Sequence, residues 1–293
     1  MDSGVAIWMP SPRIYKNLLS KMAQLKIAHR VGFDTLPTYL IDENADTTSL
    51  IPAHHFPLCL RPDDPKAVSP SFKVKLAMSP EDLVLWFRKL EKVDQPILAQ
   101  PFVNLPNLVV HGARTLSGRA IGLQAFLVER KYRGVTLIIR PTDLEEKLRR
   151  KCIEFVEFFQ LTGNYHFEFL LDRVSDKKYF LELNGRLGGT TAKVCACGYD
   201  EPLLLLEAYG VCKGFRQEIR NYVVSSKHGL LRYCRDAIQA KLTPMDYPIE
   251  NNILRVLKGA YGIFCYRDEI LTIRDVPGSI AFIKSLLKSA DYT

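Results

Sequence analysis

Helical spacing of apolar residues marks three long stretches of the chain. The predicted helices cover residues 14–32, 79–92 and 143–163. The first is expected to end at Gly32 and the third at Gly163, because glycine readily adopts the left-handed conformation that closes a helix. The second begins with Ser79 as N-cap and Pro80 at the first helical position, which is a strong start signal.

Between these helices, short apolar or alternating runs predict strands. These runs lie at residues 55–62, 72–77, 96–103, 119–132, 134–141, 165–172 and 179–184, and the runs at 119–132 and 134–141 resemble a hairpin. Residues 33–41 are predicted as a turn followed by a strand. A further helix is predicted at 201–211. Beyond residue 214 the pattern predicts strands at 221–234 and 253–273, which would add to the sheet, and a last helix at 277–290. Strands with helices between them indicate an α+β fold in two lobes.

Length and composition are those of a folded globular protein. The chain has 293 residues, of which 47% are hydrophobic and 25% charged. It has no run of about 18 uncharged apolar residues and no signal-peptide pattern at its N-terminus, so we expect a cytoplasmic location and no membrane partner. The seven cysteines are scattered through apolar segments, which favours reduced thiols.

The formal net charge of +8 is compatible with nucleic acid, a membrane surface or a phosphate-rich small substrate. The basic residues are dispersed, and no basic-aromatic stripe or nucleic-acid motif is present, so no nucleic-acid partner is expected. The six histidines do not group with cysteines or acids at the sequence spacing of metal ligands. His166 is two residues before Glu168 and would share its strand face.

The strongest chemical signal is a polar cluster on two consecutive strands. Glu182, Asn184 and Arg186 are spaced two apart, so they share one face of their strand, and Glu168 lies on the preceding strand. Carboxylate and amide oxygens suit Mg²⁺ completed by substrate phosphates, which predicts Glu168, Glu182 and Asn184 as metal ligands. A solvated polar sheet face is the alternative. Arg186, next to the small residues at 188–191, suits a phosphate, and an exposed arginine in a turn is its alternative.

Residues 164–189 resemble the signature of ATP-grasp enzymes, in which an acid on one strand is followed by E-x-N-x-R on the next. The resemblance runs from about residue 14 to about residue 212. It implies two α/β lobes with mainly antiparallel sheets that clasp ATP with Mg²⁺ or Mn²⁺. It also implies an ATP-grasp domain at 1–214 with a small lobe at about 57–103, and an extension at 215–293 that completes the large lobe or forms a subdomain.

The resemblance also implies roles for individual residues. Arg186 and Arg130 are expected beside the transferring phosphate. Nucleotide-binding positions are expected at Lys16, Arg61, Gln100, Pro101, Phe102, Val103 and Asn107, of which 100–103 would form the adenine hinge and Asn107 stands where an acid contacts ribose.

The function so implied is a carboxylate-amine ligase that activates a small carboxylate as an acylphosphate for capture by an amine. A non-catalytic ATP/Mg²⁺-binding module is the alternative, because the loop after Arg61 lacks the glycines that usually cover the phosphates. About 14 residues precede the resemblance, where the family has an α/β domain. A homodimer, or a partner supplying that domain, is therefore a further expectation.

Overall fold

The computed structural model describes residues 11–42, 51–214, 216–272 and 275–290. The chain divides into two compact units, which are described in turn. The first comprises residues 1–103, 151–161 and 172–183, and the second comprises residues 104–150, 162–171 and 184–293. The domain boundary at residue 214 stays a prediction.

Helices and strands alternate along the described part of the chain. In chain order they are α1 (Pro12–Leu19), α2 (Lys21–Val31), β1 (Tyr39–Ile41), β2 (Leu58–Pro62), β3 (Val68–Ser69), β4 (Lys75–Ala77), α3 (Pro80–Phe87), β5 (Lys92–Val93), β6 (Ile97–Pro101), β7 (Asn107–Arg114), β8 (Ala120–Tyr132), β9 (Val135–Thr142), α4 (Glu146–Phe159), β10 (Gly163–Leu171), β11 (Lys178–Asn184), α5 (Thr191–Ala196), α6 (Glu201–Ala208), β12 (Val224–Ser225), α7 (Lys227–Ile238), α8 (Asn252–Cys265), β13 (Arg267–Asp268) and α9 (Val276–Ala290).

The first unit is built on a four-stranded antiparallel sheet with the order β1-β6-β2-β4. Its core joins the inward side chains of β2 and β6 to Leu83 of α3, and Leu58, Leu60, Leu83 and Ile97 are fully buried. A second apolar group stacks Phe33 on Phe180 of β11, with ring centroids 5.5 Å apart. This packing holds β11 against the segment that follows α2.

The second unit is built on a larger sheet, in which its strands have the order β10-β7-β8-β9-β12-β13. All of these pairs are antiparallel except β12 with β13. One face of the sheet packs on α5 and α6 through a core that includes Phe126, Val128, Tyr199 and Leu204. Tyr132 of β8 packs with α7 in a second core. No helix among the described residues is long and apolar enough to cross a bilayer.

The predicted α+β class is confirmed, and most predicted elements form. The predicted helix at 14–32 is two helices, because Ser20 has an extended backbone and caps α2 by accepting the Ala23 amide at 3.1 Å. Gly32 does end α2, with φ of 79°. The long helix ends at Phe159 rather than at Gly163, since Gln160 already has a positive φ of 49°.

The predictions for two C-terminal segments were wrong over most of their length, and one central strand was not predicted. The segments at 221–234 and 253–273 were expected as strands, but most of their length forms helices α7 and α8. Only Val224–Ser225 and Arg267–Asp268 join the sheet there. Strand β7, which was not predicted, runs through the middle of the second unit's sheet between β10 and β8.

Candidate functional site

Three polar side chains from neighbouring strands meet on one face of the second unit's sheet. The Asn107 amide nitrogen donates to Glu168 Oε2 at 3.1 Å, and Lys131 Nζ donates to Asn107 Oδ1 at 2.7 Å. Strands β7, β8 and β10 supply one residue each. Glu168 is half-buried, with 30% of its side chain exposed. The cluster therefore offers a carboxylate oxygen and a cation side by side.

Burial changes the acidity of Lys131. Desolvation lowers the pKa of its ammonium group from 10.5 to about 8, although the charge of Glu168 opposes this shift. Lys131 is thus still protonated at neutral pH but loses its charge in mildly alkaline solution. A cation that is only partly compensated suits an anionic ligand such as a phosphate.

Arg130, the cation predicted here, lies in a different place. Its guanidinium donates to the Tyr233 hydroxyl at 2.5 Å and pairs with Glu250 at 3.3 Å, and only 3% of the residue is exposed. Strand β8 is irregular on both sides of Arg130, where its register with β9 shifts. Such a bulge exchanges the faces of the residues that follow it, so Lys131 takes the position beside Glu168.

Behind Glu168 lies a buried cluster of His111, His166 and Glu201. Their potential ligand atoms lie within 4.8 Å of one another, and the structure shows no other such group of His, Cys, Asp or Glu among the residues it describes. The two imidazoles stack at 5.4 Å, and His166 Nε2 lies 3.9 Å from Glu168 Oε1. Grouping of histidines with an acid was not expected from their sequence spacing, and the fold produces it by pairing His111 with His166 across β7 and β10.

Hydrogen bonds engage both nitrogens of His111. Nδ1 lies 3.1 Å from Glu201 Oε1, and Nε2 lies 3.2 Å from the Thr190 hydroxyl. Burial raises the pKa of Glu201, but the hydrogen bonds from His111 and Thr191 outweigh it and leave the pKa below its ordinary value. If Nδ1–H donates to an ionised Glu201, then Nε2 accepts a hydrogen bond from the Thr190 hydroxyl. The cluster therefore anchors the loop at 188–191 and has no free lone pair on His111 for a metal.

The loop that carries Arg186 lies against the same cluster. A Cβ added to Gly188 would lie 2.9 Å from His166 Cε1, so glycine allows the loop to approach the ring. A Cβ on Gly189 would meet nothing within 4 Å. Arg186 itself is exposed and donates to the Leu187 carbonyl at 2.9 Å. Asn184 is half-buried at the end of β11.

In the first unit, the structure brings Arg61 and Gln100 together. Arg61 on β2 donates to Gln100 Oε1 at 2.5 Å, and Gln100 on β6 donates to the Thr38 hydroxyl at 2.8 Å. Pro101, Phe102 and Val103 follow and are half-buried, and the Phe102 amide donates to the Pro57 carbonyl at 2.7 Å. That amide is therefore already engaged, whereas the prediction relied on backbone groups of this hinge.

Glu182 also has a partner within the first unit. Lys21 Nζ lies 3.2 Å from Glu182 Oε2, and both side chains are about one quarter exposed. Lys16, the predicted phosphate contact, is exposed on α1. Lys21, at the first position of α2, was not among the predicted site residues, and it is the cation that pairs with Glu182.

A buried glutamine fixes the backbone between Glu182 and Asn184. Gln24 on α2 donates to the Leu183 carbonyl at 2.9 Å and accepts the Leu183 amide at 2.7 Å. Both hydrogen bonds are buried, so leaving either group without its partner would be costly. Gln24 thereby positions the strand on which two of the predicted metal ligands stand. The predicted set Glu168, Glu182 and Asn184 stays a prediction, with Glu168 and Asn184 in the second unit and Glu182 in the first.

No protein-family model matches the chain, and a search of the curated proteins gives no match. Solved structures do match. N5-carboxyaminoimidazole synthase from Aspergillus clavatus, solved with ADP and 5-aminoimidazole ribonucleotide, gives a TM-score of 0.58 at 14% identity, over 78% of this chain and 63% of that one. L-amino acid ligase from Bacillus licheniformis gives a TM-score of 0.52 at 18% identity, over 72% of this chain and 53% of that one.

A third match has a metal-nucleotide in its structure. The biotin carboxylase domain dimer of Hydrogenobacter thermophilus 2-oxoglutarate carboxylase, solved with MgADP, ADP and bicarbonate, gives a TM-score of 0.55 at 15% identity, over 72% of this chain and 50% of that one. The chain thus spans between half and 63% of the length of these three structures. At such low identity, the likeness shows the fold.

Proposed function

We propose that this chain, which has the ATP-grasp fold of these solved structures, is an ATP-dependent carboxylate-amine ligase. It would activate a small carboxylate as an acylphosphate and pass the acyl group to an amine. The observation that supports this most is the contact of Lys131, Asn107 and Glu168 on one sheet face. Phosphoryl transfer needs charge neutralisation and positioning rather than a nucleophilic side chain, and this cluster offers both.

Each of the predicted donors has the oxygen chemistry that a hard divalent cation prefers. Glu168 and Glu182 have carboxylates that are half-buried and face water in part, and Asn184 would add a neutral oxygen. We assign these three residues to Mg²⁺ or Mn²⁺, which when bound would neutralise phosphate charge. Asn107 holds Glu168 in place, which limits the reorganisation needed on binding.

The nucleotide contacts divide between the two units. In the first, Arg61 is held by Gln100 and is assigned to a phosphate, with Lys16 as a further candidate. Residues 100–103 are assigned to the adenine. In the second, Lys131 replaces Arg130 as the cation for the transferring phosphate.

Arg186 is assigned to the acid or its phosphate. Its side chain is exposed and its present hydrogen bond is to a neighbouring carbonyl, so an anionic ligand can recruit it at little cost. A cytoplasmic location and a homodimer, or a partner that supplies a further domain, stay predictions.

The alternative is an ATP- and Mg²⁺-binding module without turnover. One observation favours it. The segment after Arg61, where glycines usually cover the phosphates, is a 3₁₀ turn at Pro65–Ala67 followed by strand β3. Backbone amides that are already fixed in such a segment are less able to close over a triphosphate.

Measuring ADP release decides between the two functions. We would incubate the full chain with MgATP and a panel of amino acids and other small carboxylates, with and without an amine acceptor. The ligase predicts ADP and phosphate in a ratio of one, formed only with the correct acid. Glu168→Gln should reduce this rate by roughly a hundredfold, by analogy with the loss of one preorganised electrostatic contact.

The matched control is Glu157→Gln, which removes an exposed carboxylate from α4 and should leave the rate unchanged. Nucleotide binding that is retained with every acid tested, without ADP above background, would support the module instead. ADP release that is equal in Glu168→Gln and the unmodified chain would contradict the assigned site.

A further inference from the structure

A cavity that Glu168 does not line lies within the second unit. It has a volume of about 780 Å³ and lies where the β8–β9 turn meets helix α7. Four cationic side chains line it: Arg133, Arg232, Arg235 and Lys241. None of its lining residues in the described chain is acidic. Such a concentration of positive charge in a concave surface attracts anions.

Two of the three arginines are held in place by one buried carboxylate. Asp236 Oδ2 accepts from Arg133 at 2.8 Å and from the Tyr132 hydroxyl at 2.5 Å, and Oδ1 accepts from Arg235 at 3.3 Å. The side chain of Asp236 is 2% exposed, whereas those of Arg133 and Arg235 are about 65% exposed. One acid therefore orients two guanidinium groups without neutralising the cavity, which keeps an excess of three positive charges.

The backbone of Arg133 is held in an unusual conformation. Its φ is 49°, in the left-handed region that residues with side chains rarely adopt. Its amide donates to Asp246 Oδ1 at 2.6 Å, which fixes the turn. Gly134 follows with φ of 77°, so the two residues form the two-residue turn of the β8–β9 hairpin, which places Arg133 at the cavity.

The remaining wall of the cavity is partly apolar. Tyr132, Val135 and Leu137 form it, and His228 and the N-cap residue Ser226 add hydrogen-bonding groups. Burial and the charge of Arg232 lower the pKa of His228, which favours its neutral imidazole. The cavity thus combines phosphate-type donors with a surface for a ring or an alkyl chain.

We propose that this cavity binds a small molecule that has a phosphate group and an apolar or aromatic part. Its volume is in the range of small-molecule sites, which are concave and partly apolar with a few convergent polar groups. A nucleic acid would instead require an extended basic track with successive stacking rings. The four cations here converge on one concavity. Binding of a ligand in this cavity does not depend on the ligase activity proposed above.

The test uses the full chain in chelator, so that Mg²⁺-dependent nucleotide binding does not contribute. Isothermal titration would compare inorganic pyrophosphate with AMP at fixed ionic strength. The variant Arg232→Ala/Lys241→Ala changes two exposed residues of the cavity and leaves the Asp236 contacts intact. We expect it to weaken binding of both probes by about tenfold or more, since each lost charge-assisted hydrogen bond contributes that much.

The control is Lys147→Ala/Arg150→Ala, which removes the same charge from exposed positions on α4. Its affinities should stay within about twofold of the unmodified chain, as expected for exposed charges outside a site. Tighter binding of AMP than of pyrophosphate would show that the apolar wall contributes. Equal affinities in both double variants, or binding of a single-stranded RNA but of neither probe, would overturn the proposal.

Discussion

Two neighbouring cations on β8 differ in what surrounds them. Arg130 is buried against Tyr233 and Glu250, where it stabilises the contact of the sheet with α7. Lys131 faces the opposite way, toward Asn107 and Glu168, and its pKa is lowered to about 8. A positive charge thus has a structural role at Arg130, whereas the positive charge of Lys131 is available to a ligand. Residue type alone could not have separated them.

The first prediction concerns the alkaline limb of activity. Because the folded-state pKa of Lys131 is lowered, the ammonium charge is present below about pH 8 and is lost as the pH rises through that value. We expect kcat/KM for ATP to decline above about pH 8, since this ratio reports the free enzyme. Arginine stays charged, so Lys131→Arg should move the decline to higher pH, and Lys131→Met should be impaired at every pH.

Initial rates of ADP formation between pH 6 and 10 would measure these profiles. Lys147→Met, an exposed lysine on α4, is the matched control and should follow the unmodified profile. An identical alkaline decline in Lys131→Arg and the unmodified protein would assign that titration to another group.

At the scale of elements, local signals were read correctly where capping and alternation agreed. Ser79 does cap α3, accepting the Asp82 amide at 3.2 Å, and the alternation at 165–172 and 179–184 does produce β10 and β11. The bulge around Arg130 has no sequence signature, and it decides which cation faces Glu168. Pairing of His111 with His166 depends on long-range register, which the sequence does not encode locally.

The segments of α7 and α8 were mistaken for strands because valine, isoleucine, tyrosine and phenylalanine favour strands. Their buried positions nevertheless have helical spacing: Leu230, Tyr233 and Ala237 in α7, and Arg255, Gly259 and Gly262 in α8. Serine and asparagine N-caps also precede both helices. Helical spacing and the N-caps, which are also local signals, therefore outweighed the strand propensity of single residues.

The second prediction tests how closely these two helices pack. Gly259 is buried, and a Cβ at this position would overlap Cys234 Sγ of α7. Alanine favours a helix over glycine by about 1 kcal/mol, but overpacking costs about 1 to 3 kcal/mol. We therefore expect Gly259→Ala to lower the free energy of unfolding by up to about 2 kcal/mol, measured by urea denaturation.

Cys234→Ala removes the sulfur and provides the control. In that background Gly259→Ala should be neutral or stabilising, because only the gain in helix propensity remains. Additive effects of the two substitutions would show that the helices are not in the close contact described.

At the scale of the whole molecule, each unit has its own sheet and core, and the fold is shared with enzymes that have only 14% to 18% identity to it. A shared fold does not by itself imply a shared activity, because function depends on the residues of the site. The function proposed above therefore depends on particular polar residues, Glu168, Glu182 and Asn184, rather than on the fold.

The last prediction links metal, nucleotide and the stability of the whole chain. A ligand that binds only the folded state at 100 times its Kd stabilises it by about 2.7 kcal/mol, which corresponds to a rise in Tm of roughly 5 to 10 °C. We expect MgATP to raise Tm by about this amount, and EDTA to remove most of the shift, because under the proposed assignment the triphosphate and the carboxylates of Glu168 and Glu182 would share the cation. Scanning calorimetry of the unmodified chain and of Glu182→Gln would measure the shift in Tm.

Stabilisation that survives EDTA but is lost in Arg232→Ala/Lys241→Ala would belong to the cavity that these two residues line. If the shift is the same with and without EDTA, in the unmodified chain and in Glu182→Gln alike, ATP binds this chain without the predicted metal ligands.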